Sequence, residues 1–347
     1  MSVRTGRECF RALSMPEAVT LASGVYRVRA SVPSRSKATA DMVQTDEAFW
    51  TIFSFHFLSG EAFTKADCDA GLTRAVLDAT TARRLFGTTD AVGHTVQLDY
   101  VDYTVAGVVA DVSMLATAAY AQIWVPYTAA GAEAMSWQND TMGPMHAIIL
   151  ARSSADFDAI REETELLRKK YNDGLQDVEV FYRGQPDTQL AYLYRRWYAE
   201  PDVPGVMLRY AIVVIILLLV PAVNLSGMTL SRMRRRMAEI GVRKAFGATG
   251  GELMRQVFFE NLVLTLLAGI VGLALSYVAT FALNGFLFSN SMNASLSGET
   301  ALTPGMLLSP WAFIAAFAFC LLMNILSAGI PAWRASRMNI TDAINQR

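Results

Sequence analysis

The sequence predicts an α+β exoplasmic domain followed by an all-α membrane domain of three transmembrane helices. Charge is the first sign of this division: residues 1–205 hold 19 Lys+Arg against 26 Asp+Glu, and residues 206–347 hold 11 against 5. The second sign is that three long apolar runs all fall in the second part. The third is that the first part alternates between strand-like and helix-like periods. The near-balanced total, net charge −1, excludes a chain that is basic throughout and built to wrap nucleic acid. Three cysteines, Cys9, Cys68 and Cys320, are too few for a disulfide framework or a metal cluster. A Cys9–Cys68 disulfide stays open, and Cys320 reads as a small apolar residue in a span.

In the first part, Gly24–Ser34 alternates as a strand and the aromatic-rich Glu47–Leu58 reads as helix. Ala75–Asp78 into Thr80–Phe86 reads as strand into helix, closed by Gly87. Val96–Tyr100 and Tyr103–Val109 form a hairpin about Val101-Asp102, and Gln122–Tyr127 is a further strand. His146–Ala151 is a strand, Ser154–Tyr171 a helix capped by Ser153 or Ser154, and Val178–Tyr182 a returning strand. His56, His94 and His146 are far apart and lack metal-ligand spacing. No nucleophile elbow, zincin or P-loop motif occurs, so the sequence argues against an enzyme and for no catalytic, cofactor or metal residue.

Pro186–Glu200 is helical, with Leu190, Leu193, Tyr194 and Trp197 on one face. Its composition suits a stalk or membrane-interface element, and packing on its own domain is the alternative. The spans fall at about 207–230, 257–283 and 311–330, each long enough to cross a bilayer. Between the first two lies a cationic segment, 231–256, with Arg232, Arg234, Arg235, Arg236, Arg243, Lys244 and Arg255. The loop Asn284–Ser309 has no Lys or Arg, so the cationic segment faces the cytoplasm and the acidic domain faces outside. Gly247 ends the helix of that segment and Gly250-Gly251 breaks the chain before the next. Taken on composition alone, the segment favours an anchor for anionic membrane lipids. In the second span Ala268, Gly272 and Ser276 repeat at i+4, the spacing that lets helices pack closely.

Seven fragments in order now carry a resemblance: Phe53–Asp67, Ala75–Leu98, Tyr103–Val112 and Ile123–Tyr127, then EIGVRKAFGAT (Glu239–Thr249), the small-residue second span and Pro331–Ile344. The chain resembles the MacB/FtsX-type permease subunits of ABC transporters over nearly its whole length. The resemblance implies a MacB-like periplasmic core at 1–183, a stalk at 184–206 and an FtsX-like permease domain at 207–347. The family's plan has a further span and outer strand ahead of this sequence, so the expectation is an N-terminally incomplete chain. It also implies an inner-membrane location with the coupling loop and C-terminus cytoplasmic, a cytoplasmic ABC ATPase partner that holds the ATP, and a second permease subunit. A periplasmic adaptor or cargo is a further partner, and nucleic acid is not. The segment that docks on the ATPase would be Glu239, Ile240, Gly241, Arg243, Lys244, Phe246 and Gly247. The expected role is to transmit ATP-driven motion to the outer domain during export or extraction of envelope cargo. The alternative is a membrane-anchored regulator that activates a periplasmic partner such as a cell-wall hydrolase.

Overall fold

Apolar and β-branched residues bunch between turn residues in the first part of the chain, and strands form there. The computed structural model describes residues 1–33, 36–114, 116–195, 199–288, 311 and 313–323. Two compact units result, one built on Met1–Glu200 and one on Pro201–Leu283. The strands of the first unit are β1 (Ala18–Ser23), β2 (Tyr26–Ser31), β3 (Lys37–Thr45), β4 (Phe57–Gly60), β5 (Arg74–Asp78), β6 (Thr95–Leu98), β7 (Val101–Val109), β8 (Ile123–Pro126) and β9 (Met145–Leu150).

Six of these strands close into a ring. β7 pairs with β5, β5 with β8, β8 with β3, β3 with β2, β2 with β6, and β6 again with β7. The β5–β7 and β3–β8 pairs are parallel and the others antiparallel. Alternate residues Val28, Ala30, Ala40, Met42, Leu77, Val96, Leu98, Val105, Ile123 and Val125 share one core. Val43, Val76 and Trp124 point to the opposite face, where they join Phe49, Phe63 and Cys68 in a second core. Where both faces are covered, as in β5 and β8, the strands read as apolar runs, whereas β2 alternates buried Val28 and Ala30 with exposed Arg27 and Arg29. Strand β4 hangs on β7 outside the ring, and its last residue shows why it can approach so closely. Gly60 has φ +65°, and a Cβ there would stand 2.2 Å from the Ala106 carbonyl oxygen.

The helices in chain order are α1 (Val3–Gly6), which runs into a π turn at Arg7–Arg11, α2 (Phe49–Ile52), α3 (Lys65–Asp69), α4 (Ala79–Phe86), α5 (Phe157–Asp173) and α6 (Gln189–Tyr194). Helix α4 follows β5 directly because Asp78 caps it, accepting from the Thr81 amide at 2.7 Å, and Gly87 ends it at φ +80°. Its Ala79, Ala82, Leu85 and Phe86 join the first core. Burial, opposed by the hydrogen bonds from Thr81, pushes the Asp78 carboxyl up from 3.8 to about 6. Its folded value lies above its unfolded one, so the folded state holds the extra proton between those two values. Its stabilising contribution is full below about pH 4 and is lost as pH rises through about 6, by on the order of 3 kcal/mol. Urea midpoints measured against pH should therefore slope downward over that interval, and Asp78→Asn should flatten the slope.

The strand and helix pattern departs from expectation in several places. Only Phe49–Ile52 of Glu47–Leu58 is helical, because Trp50, Phe53, Phe55 and Phe57 spread out to pack on one another and on Trp124. The β6–β7 turn falls at Asp99-Tyr100, with φ +42° and +73°, not at Val101-Asp102. Asp99 fixes it there by accepting the Arg29 amide at 2.9 Å and donating its own amide to the Arg29 carbonyl. Val178–Tyr182 forms no strand. Instead, the Asn172 side-chain amide holds both polar groups of the Val180 backbone at 3.0 Å, in place of a neighbouring strand. Cys9 and Cys68 are free thiols buried in two different cores, so they are not a disulfide.

An arginine that the periodicity did not single out ties the N-terminal segment to the ring. Arg11 donates to the Val19 carbonyl, Asp46 and Glu47, while Asp46 accepts from Thr20 and from the Leu21 amide. Strand β1 pairs with β9 in a separate two-stranded sheet.

Two long helices make the second unit. Helix α7 (Val203–Ala245) has 43 residues and α8 (Gly250–Phe288) has 39. Apolar windows long enough to cross a membrane lie at Val203–Val220 and Phe258–Ala279, and a shorter apolar helix spans Phe313–Met323. The cationic segment continues α7 as far as Ala245, and α8 runs past Leu283 to Phe288. The third span beyond Met323, most of Asn284–Ser309 and Pro331–Ile344 lie outside the described residues.

Candidate functional site

The turn from α7 to α8 gathers most of the residues singled out for coupling. Helix α7 carries Glu239, Ile240, Gly241, Arg243 and Lys244 in its last turns. The Phe246 amide still donates to the Val242 carbonyl at 3.1 Å, and the Ala248 amide donates to the Arg243 carbonyl at 3.0 Å. Gly247 between them sits at φ +93°, the left-handed conformation that ends a helix and that a residue with a Cβ resists. The expected C-cap is therefore present at Gly247. The break, by contrast, is Phe246–Thr249, and Gly250-Gly251 form the first turn of α8.

Thr249 and Glu252 fix the start of α8. The Thr249 amide donates to Glu252 Oε2 at 2.9 Å and the Glu252 amide donates to Thr249 Oγ1 at 3.3 Å. Hydrogen bonds from the Thr249 backbone and side chain hold the Glu252 carboxyl below its usual range. Across the turn, Arg243 Nη1 donates to Gln256 Oε1 at 2.7 Å, joining the two helices. Arg243, Phe246, Gly247, Ala248, Glu252 and Gln256 line an open recess. Phe246 is 89% exposed at its rim. The exposed phenyl ring thus stands on the turn next to a guanidinium and a carboxylate. The side chains of Glu239, Ile240 and Lys244 lie outside the described residues.

The small residues of α8 divide between two faces. Ala268, Gly272 and Ser276 are exposed, and nothing stands within 4 Å of a Cβ built on Gly272. The contact with Phe313–Met323 uses the adjacent face, where a Cβ on Gly269 would lie 3.5 Å from the Phe317 ring. The contact within the chain therefore falls at Gly269, outside the Ala268, Gly272 and Ser276 series.

In the first unit the three histidines stay apart. His146 is half-buried in β9, and desolvation lowers it to about 4, so it is neutral at physiological pH. His94 stacks on Phe86, and His56 is exposed. Among the described residues no group of three or more His, Cys, Asp or Glu side chains could hold a metal ion. One further feature had no signal in the sequence: a buried ion pair between Asp187 and Arg195, at the two ends of α6.

Two family descriptions match the chain: MacB-like periplasmic core domain over residues 2–167 and FtsX-like permease C-terminal over residues 211–340. The chain is 25% identical over 307 residues to the macrolide export ATP-binding/permease protein MacB of Chromobacterium violaceum. It is 26% identical over 314 residues to the protein of the same name from Escherichia coli strain K12. Each match covers 88% of this chain and 43% of the relative, so the chain spans less than half the length of those relatives. Similar solved structures include the extracellular domain of the noncanonic ABC-type transporter YknZ from Gram-positive bacteria, at 17% identity and TM-score 0.39, covering 49% of this chain and 84% of that one. Another is the periplasmic region of MacB from Actinobacillus actinomycetemcomitans, at 18% identity and TM-score 0.40, covering 49% and 75%.

Proposed function

This chain belongs to the MacB/FtsX-type ABC transporter permeases, and from that premise we propose that it is a non-catalytic permease subunit that carries ATP-driven motion from a cytoplasmic ATPase to its periplasmic domain. The carrying observation is the α7–α8 turn, where Phe246 stands exposed on a backbone fixed by Gly247 and by the Thr249–Glu252 cap. Helix α7 supports this reading because one unbroken helix joins that turn to the apolar window at Val203–Val220. At 1.5 Å per residue its 43 residues give about 65 Å of helix, with Pro221 the interior position that lacks a backbone donor. Arg243 and Lys244 supply charge to steer an acidic partner, and Phe246 supplies the apolar anchor.

ATP binding and hydrolysis are assigned to a separate ATPase subunit. The cationic segment faces the cytoplasm, the Met1–Glu200 unit faces the periplasm, and the exposed Ala268, Gly272 and Ser276 meet the helix of a second permease subunit in the bilayer. The chain lies in the inner membrane, and the cargo is an envelope or periplasmic molecule.

Copurification in detergent tests the reading. The full chain should bring down a cytoplasmic ABC ATPase, and Arg243→Glu with Lys244→Glu should lower its recovery and abolish transport. Recovery of no ATPase, together with transport unchanged in the double variant, would overturn the proposal.

A further inference from the structure

Helix α6 turns an apolar face outward that the proposed coupling role does not use. Thr188 caps its start, accepting the Ala191 amide at 3.2 Å. At its other end Arg195 folds back onto Asp187. Its Nη2 donates to Asp187 Oδ1 at 2.7 Å and its Nε donates to Asp187 Oδ2. The two side chains are only 7% and 8% exposed. Arg195 also donates to the Arg183 and Ala199 carbonyls. The cation that ends the helix is thus engaged by partners within the chain.

Residues of an α-helix step about 100° apart, so the side opposite the buried Ala191 belongs to Leu193, flanked by Leu190 and Tyr192. These three are 59%, 45% and 59% exposed, respectively. A short helix that covers a small alanine and presents two leucines and a tyrosine is a surface in need of a partner. Its distance along the chain from the first span identifies that partner. Eight residues, Arg195–Asp202, separate α6 from Val203, where the first membrane-length apolar window opens. Leucine and tyrosine on one helix face, close to a span, is the composition of the bilayer–water boundary.

We propose that α6 lies in the plane of the membrane surface that the chain enters at Val203, with Leu190, Tyr192 and Leu193 seated among headgroups and upper acyl chains. The Asp187–Arg195 pair is the clasp that holds the helix in one orientation for this contact. The proposal rests on the membrane reading of Val203–Val220.

Site-directed nitroxides on the full chain in phosphatidylethanolamine–phosphatidylglycerol liposomes test it. Cys320→Ser removes the exposed thiol, and Cys9 and Cys68 are buried. A label at Leu193→Cys should be severalfold less accessible to a water-soluble nickel chelate than one at Leu166→Cys, an exposed site on α5, and more accessible to oxygen. Nickel accessibility equal to that at Leu166 would overturn the proposal. So would shielding from both reagents, the signature of a covering protein or a second copy. A label at Ile215→Cys, inside the apolar window, separates the two readings. If Ile215 reads as lipid and Leu193 as water, only the seating of α6 fails. If Ile215 reads as water, the membrane reading itself fails.

Discussion

Phe246→Asp should lower ATPase binding by about 30-fold or more, the loss of an aromatic anchor worth at least about 2 kcal/mol. Transport should fall with it, while the chain still inserts and its helix content is unchanged. The fold is spared because the ring is 89% exposed and the turn is held by other groups, Gly247 and the Thr249–Glu252 cap. Titration of the ATPase against the chain in nanodiscs measures the affinity, and circular dichroism checks the helices. Phe246→Leu keeps an apolar side chain of similar reach and should retain most of the binding. Equal affinity for Phe246→Asp and the parent would remove the ring from the interface.

Trp124→Ala should destabilise the first unit by about 3–5 kcal/mol, the cost of replacing a fully buried aromatic side chain by a methyl group. Trp124 is wholly buried on β8, between β3 and β5, so no neighbour can move in without breaking strand pairing. It also makes edge-to-face pairs with Trp50 and Phe55, at ring-centroid distances of 6.1 and 5.3 Å, each worth about 0.5–1.5 kcal/mol. Pulse proteolysis across a urea series, reading cleavage in Met1–Glu200 of the full chain, gives the shift. Leu166→Ala, at an exposed site on α5, should stay within about 0.5 kcal/mol of the parent. A Trp124→Ala midpoint that matched Leu166→Ala would mean the aromatic cluster contributes nothing to stability.

These two sites differ in how far the sequence revealed them. The turn between α7 and α8 was legible because its determinants are local. Gly247 can adopt a left-handed backbone whatever surrounds it, and a cationic run beside an apolar window marks the segment. The strand–helix unit at β5 and α4 was legible for the same reason, with Asp78 and Gly87 punctuating an apolar stretch. Long-range choices were hidden. Nothing local says that Asp99 rather than Asp102 anchors the β6–β7 turn, since the choice is made by the Arg29 backbone on a distant strand. The aromatic run at Glu47–Leu58 has helical composition, yet its rings gain more by packing around Trp124 than a continued helix would give them. Val178–Tyr182 has strand composition, but the Asn172 amide occupies the place of a neighbouring strand. The same limit applies on α8, where small residues recur on two adjacent faces and only a contact can show that Gly269 meets Phe317. Asp187 and Arg195 meet because α6 brings its two flanks together, which no spacing rule anticipates.

The closed circuit of strands also bears on behaviour at high concentration. Each of its six members pairs with a neighbour at both sides, and the seam between β2 and β6, joined only at Ala30 with Leu98 and Ser31 with Gln97, is the stretch left most open to a foreign strand. The strand appended outside it, β4, is four residues long, interrupted in register after Phe57, and ends on a backbone kink at Gly60, a poor seed for a growing fibril. A folded molecule crowded among others should therefore resist amyloid-type stacking through the rest of this sheet, and such assembly would have to begin at that seam.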